Sequence, residues 1–189
     1  EQLIRETRAK VKQLTSGPWV VLDVLGLDKK QKNIIIASNE KHPLQRNLYK
    51  VNVKTGKRTA TDNGQGVHKG VLSASGSMLY DKWTTPTKPN TIDLVNTSNG
   101  KSSLLLSAEN PWKDYVMPIF ESGDIKAADG KTDLYWRMLK PADFDPTKKY
   151  PTVVYVYGGP HAHNVEASWH WASRSWETYM AQKGYIVFI

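Results

Sequence analysis

Residues Val153–His163 read VVYVYGGPHAH, a run of extended-chain formers that stops at Gly158-Gly159-Pro160. Valine and tyrosine suit the pleated, half-buried surface of a strand, and Gly-Gly-Pro ends it. A glycine pair at the carboxyl end of a strand lets the backbone bend where a side chain would clash, or lets it approach something closely. Downstream, Trp169, Ala172, Trp176 and Tyr179 recur at three- and four-residue steps. That spacing predicts a helix from about Ser168 to Lys183 with these residues on its apolar face. Gly184 is placed to end the helix as its C′ residue. The closing YIVFI, Tyr185–Ile189, reads as a strand buried on both faces of a parallel sheet. Strand, crossover helix and strand open an α/β layer, where sites form beyond the carboxyl ends of strands.

Working back from this stretch, Asp129-Gly130 predicts a hairpin between DIKAA and KTDLYWRMLKP, and ADFDPTKKYP is a polar loop. Asp143 and Asp145 read there as turn residues before Pro146, not as a catalytic pair. Before Asn110 the pattern differs. WVVLDVLGL, KNIIIAS, RNLYKVNV and KRTAT form one set of short extended runs, and VHKGVLSAS, SMLYDKW, TIDLVNT and SSLLLS form a second. Gly56-Lys57 and Gly100-Lys101 recur about 44 residues apart, the period of a four-stranded propeller blade. Asn99-Gly100 predicts a two-residue hairpin turn. Two blades cannot close a ring, so this half looks incomplete; a β-sandwich is the alternative. The expected fold is therefore mixed. Two all-β propeller blades occupy residues 1–115, and the opening of an α/β domain occupies 116–189.

Composition removes several function classes. There is no cysteine, which excludes disulfides, thiolate zinc sites and a cysteine nucleophile. The net charge of +8 is spread over lysines standing singly or in pairs at turns, the pattern of a solvated surface, and no nucleic-acid partner is expected. No apolar run approaches the roughly 20 residues that span a bilayer.

Among candidate site residues, Tyr157 stands immediately before the glycine pair. A phenol is protonated at neutral pH and can donate a hydrogen bond to a developing oxyanion; the alternative is a strand-end aromatic packed beside Tyr155. His161 and His163 form an H-x-H pair, read as residues of a loop at a cleft edge that could touch substrate. No third ligand lies at a recognised spacing, so neither a metal nor a cofactor is expected. No serine is flanked by glycines in the G-x-S-x-G manner of a hydrolase nucleophile.

QLTSGPW (Gln13–Trp19), SNE (Ser38–Glu40), RNLYKV (Arg46–Val51), KAADGKTDLYWRMLKPADFDPTKKYPTVVYVYGGPHAH (Lys126–His163) and YMAQKGYIVF (Tyr179–Phe188) together resemble the dipeptidyl peptidase IV family. These are serine peptidases of the prolyl oligopeptidase group. The resemblance implies a β-propeller on an α/β-hydrolase domain, release of N-terminal dipeptides with proline or alanine second, and a homodimer in the periplasm or at the cell surface. It also implies that Tyr157 is the side-chain oxyanion donor. The family's serine, aspartate and histidine find no counterpart here, so the chain by itself is expected to be inactive. A non-catalytic β-rich module that grips a peptide or glycan remains the other reading.

Overall fold

A computed structural model describes residues 12–159, 162–169 and 175–189. Two antiparallel sheets come first, each with its strands in sequence order. β1 (Val21–Leu27), β2 (Asn33–Ser38), β3 (Asn47–Asn52) and β4 (Arg58–Ala60) form one. β5 (Val67–Leu72), β6 (Met78–Thr85), β7 (Lys88–Asn96) and β8 (Ser102–Ser107) form the other. This mostly-β architecture is what blades of a propeller require. A third sheet has the order β11-β12-β10-β9, built from β9 (Ile119–Lys126), β10 (Asp133–Lys140), β11 (Thr152–Val154) and β12 (Ile186–Phe188). The helix α1 (Ser175–Gln182) lies between β11 and β12 in sequence. The chain divides into two compact units. One takes the chain up to Lys82 with Asp93–Leu104; the other takes Trp83–Ile92 with Leu105–Ile189.

In the first unit, period-two alternation decides what is inside. Leu25, Ile35, Ala37 and Leu48 of the first sheet meet Leu72, Leu79 and Val95 of the second in one apolar cluster. Gly70 permits the approach, since a Cβ there would lie 2.7 Å from Leu25 Cδ1 and 3.0 Å from Leu48 Cδ1. The edge strands β1 and β8 behave differently: Val24, Leu104, Leu105 and Leu106 are all exposed.

The repeat is visible in atoms as well as in spacing. After β3, Asn52 Oδ1 accepts hydrogen bonds from the N–H groups of Lys54 and Thr55, and Gly56 N–H closes on the Asn52 carbonyl at 2.8 Å. After β7, Asn96 Oδ1 accepts from Ser98 and Asn99, and Gly100 N–H closes on the Asn96 carbonyl at 2.8 Å. Both glycines sit in the left-handed region, at φ +73° and +72°. The expected two-residue turn at Asn99-Gly100 is thus a longer loop. The asparagine side chain draws Ser98 and Asn99 into it before the chain turns back.

Inward alternation also places two polar residues on the buried face, His68 of β5 and Asp81 of β6. His68 Nδ1 faces both Asp81 carboxylate oxygens at 2.8–3.0 Å, its Nε2 donates to the Gln65 carbonyl at 2.8 Å, and Asp62 Oδ2 stands 3.9 Å away. A carbonyl can only accept, so Nε2 carries a proton, and the carboxylate opposite Nδ1 favours a second. Burial pushes the imidazole pKa down, but the bond to Asp81, the charges of Asp62 and Asp81 and the Gln65 carbonyl outweigh it, leaving His68 above its ordinary value. Burial raises Asp81 and, helped by the smaller pushes of the Asp62 and Asp93 carboxylates, outweighs the lowering by His68.

In the second unit, Leu139, Ala181, Val187 and Ile189 form the core, with Phe120, Tyr155, Val165 and Met180 packed against it. β12 was expected within a parallel sheet. It pairs parallel with β11 and antiparallel with β10, so the sheet is mixed. Gly123, opposite Trp136 in the β9–β10 register, leaves room for the indole: a Cβ there would lie 2.8 Å from the ring. α1 ends as expected. Gly184 takes φ +88°, its N–H bonds to the Ala181 carbonyl and Tyr185 N–H to the Met180 carbonyl, the paired closure of a Schellman motif.

Two outcomes follow from the first unit. A folded-state pKa held above the unfolded value means that the His68 contribution is complete below about pH 6.5 and is lost as pH rises through the raised value. The urea midpoint should therefore fall as pH is taken from about 6.5 towards 9, and His68→Gln should flatten that dependence; a midpoint that climbs over this range sinks the imidazolium assignment. Separately, a Cβ at Gly76 (φ +66°) would lie 2.4 Å from the Leu27 carbonyl oxygen, whereas one at Gly100 meets nothing within 4 Å. Gly100→Ala should cost about 1 kcal/mol for the left-handed backbone alone, and Gly76→Ala clearly more, read from the same denaturation curves.

Candidate functional site

β11 is shorter than its sequence suggests. It pairs with β12 over Thr152–Val154, and Tyr155 N–H makes one more bond, to the Phe188 carbonyl at 2.9 Å. Val156 and Tyr157 then leave the sheet and are exposed, Tyr157 by 47%. Gly158 turns the chain at φ +66°, with nothing within 4 Å of where a Cβ would stand. Its glycine is required by conformation alone. At Gly159 the space is tight, because a Cβ would lie 3.1 Å from Cε1 of Tyr157 and the ring would have to shift by a few tenths of an ångström. The tyrosine ring thus lies against the second glycine, beyond the carboxyl end of β11, with nearly half of the residue open to water. The phenol is accessible to a ligand.

The rest of the neighbourhood is held by a buried ion pair that no sequence pattern announced. Arg137 of β10 and Glu177 of α1 have side chains 3% and 2% exposed. The guanidinium engages the carboxylate with both terminal nitrogens, Nη1 to Oε2 and Nη2 to Oε1, the latter at 2.8 Å. Its Nε donates to the Asn164 carbonyl at 2.8 Å. Strand alternation puts Arg137 on the face of Leu139, where α1 packs. This pair overturns the expected helix face. Glu177 and Ala181 are the buried residues of α1, while Trp176 and Tyr179 are 41% and 57% exposed. A carboxylate answered by a bidentate guanidinium can be buried, and the large aromatics are then turned outward. Trp176 keeps an edge-on contact with Tyr155 at 6.3 Å between ring centroids. Trp169 is buried, ahead of the helix, and its N–H donates to Thr84 Oγ1 at 3.0 Å.

The remaining candidates sort as follows. His163 is exposed in the segment after the glycine turn, one residue before the tethered Asn164. His161 lies outside the described residues. Asp145 is a turn carboxylate: the Thr147 hydroxyl donates to it at 2.7 Å and the Thr147 N–H at 3.0 Å, and these bonds hold its pKa below the usual range. Ser75 shares its hydroxyl with Ser77 at 2.7 Å in a hairpin loop. Among the described residues there is no group of three or more His, Asp or Glu side chains that could hold a metal ion. Among them, too, no helix is long and apolar enough to cross a membrane.

Comparison with known proteins gives the site a context. The profile of the dipeptidyl peptidase IV N-terminal region matches residues 2–90. Dipeptidyl peptidase 4 of Trichophyton tonsurans is 30% identical over 164 residues, covering 83% of this chain and 21% of that protein. A Bacteroides ovatus protein of known structure, assigned as a dipeptidyl aminopeptidase IV, is 49% identical, with a TM-score of 0.86 over 95% of this chain and 26% of its own. Porphyromonas gingivalis dipeptidyl peptidase 4, at 24% identity and a TM-score of 0.81, shares the fold over 94% of this chain. The chain spans about a fifth to a quarter of the length of these relatives. The likeness runs through both compact units, and the chain belongs to the dipeptidyl peptidase IV family.

Proposed function

We propose that this chain is the part of a dipeptidyl-peptidase-IV-like serine exopeptidase that leads from the last two blades of a β-propeller, residues 1–115, into the opening of an α/β-hydrolase domain, residues 116–189. The observation that carries the reading is the accessible phenol of Tyr157 on a Gly-Gly turn beyond the carboxyl end of β11. In such a domain the loop after an early strand supplies part of the oxyanion hole. The exposed apolar residues of β1 and β8 fit the same reading, as faces on which further blades would stack.

The chemistry is acyl transfer. A serine hydroxyl attacks the carbonyl carbon of the peptide's second residue, and a histidine takes the hydroxyl proton. The carbonyl oxygen becomes an oxyanion, to which the Tyr157 hydroxyl and one backbone N–H donate. The intermediate collapses with the proton passing to the leaving amine, and water releases the dipeptide from the serine ester. In this reading the serine, histidine and aspartate come from the rest of the full-length protein, and this chain alone does not turn over. No cofactor enters the reaction. Substrates would be peptides with proline or alanine second, and the enzyme would act as a homodimer in the periplasm or at the cell surface; family resemblance supports these last points.

In the full-length enzyme, Tyr157→Phe should lower kcat by about 10²–10³-fold with little change in KM on a Gly-Pro chromogenic substrate. Wild-type turnover in that variant would remove the phenol from the mechanism, whereas no turnover by the full-length wild-type protein would leave a binding module as the better account.

A further inference from the structure

We propose that Arg137 is a positioning residue that fixes the segment following the glycine turn, so that His163 is presented to the substrate in one place; this rests on the reading of that turn as substrate-facing. Arg137 is itself firmly held. Its N–H donates to the Ile189 carbonyl at 3.0 Å and its carbonyl accepts from Ile189 N–H at 2.9 Å, in the middle of the third sheet. From that platform the side chain divides its donors. The two terminal nitrogens take Glu177 of α1, and Nε takes the carbonyl of Asn164. A guanidinium can do both because its donors form a rigid planar fork; an ammonium on a flexible stem cannot reproduce that geometry.

The arrangement gives little in stability that a well-packed apolar pair would not also give, because both charges are taken out of water. What it adds is registration of three parts: a strand, a helix and a loop backbone. The loop end is set on one side by Asn164 and by Val165, which packs in the core, while His163 beside them remains exposed. Tethering the neighbouring carbonyl fixes where the His163 backbone stands. Glu177 holds the fork and Arg137 holds the loop.

The test separates positioning from bulk stability. In the full-length protein, Arg137→Leu combined with Glu177→Leu replaces the pair by apolar side chains and keeps the core filled, while deleting the bond to Asn164. Arg137→Lys keeps a charge for Glu177 and is a second, milder variant. Amide hydrogen exchange is read over residues 162–169 and over β9 and β10, alongside KM and kcat for a dipeptide substrate. Both variants should speed exchange at 162–169 at least tenfold with β9 and β10 unchanged, and KM should rise several-fold with kcat nearly constant. Exchange that stays at the wild-type rate in the folded double variant overturns the tether, and so does an equal increase across β9 and β10, the mark of a merely structural role. Faster loop exchange with an unchanged KM overturns the presentation of His163. If the full-length protein cleaves no dipeptide while Tyr157→Phe is equally silent, the peptidase reading has failed, and the exchange comparison still decides the tether.

Discussion

Burying a guanidinium beside a carboxylate is tolerable only when each charge finds the other in good geometry and the leftover donors are satisfied. Arg137 and Glu177 meet that condition, and much of the second unit follows from it. Because Glu177 must face β10, α1 turns Ala181 inward on the same side and leaves Trp176 and Tyr179 in water. Because Nε has one donor to spare, the backbone at Asn164 is drawn to the sheet. The glycine turn and its tyrosine therefore follow a strand whose onward segment is tied down at Asn164.

The first unit solves a related problem in a different way. His68 and Asp81 are buried in a unit whose apolar cluster is aliphatic, and the ring is answered on both nitrogens. Here the partners come from adjacent strands of one hairpin and from the loop that carries Asp62 and Gln65. The two pairs differ in reach, thirteen residues against forty, and that difference decides how visible each was beforehand.

The eight strands before Asn110 were legible because alternation and turn residues are local signals, and the Asn52 and Asn96 loops repeat the same chemistry. The turn at Gly158 was legible for the same reason, since strand formers followed by two glycines mark a strand end. The helix face was misread. Counting aromatics at three- and four-residue steps favours Trp176 and Tyr179, and nothing near Glu177 announces an arginine forty residues earlier. The extent of β11 was overestimated because strand propensity does not reveal how far a neighbour will offer its carbonyls. The mixed character of the third sheet was hidden likewise, since an unbroken apolar strand looks the same whichever way its neighbours run. His68 could have been found: it and Asp81 both fall on inward positions of consecutive strands, and a polar pair at matched inward positions is a signal in its own right.

Gly158 leaves an open patch of main chain, with no described residue beyond its chain neighbours within 4 Å of where a side chain would begin. A bound molecule can rest directly on the peptide group there, as close as van der Waals radii allow. Such a surface is blind to what it touches, because bare backbone looks alike whatever lies across it. Any preference of the site among ligands must then be written by the residues around the bare spot and not by the spot itself.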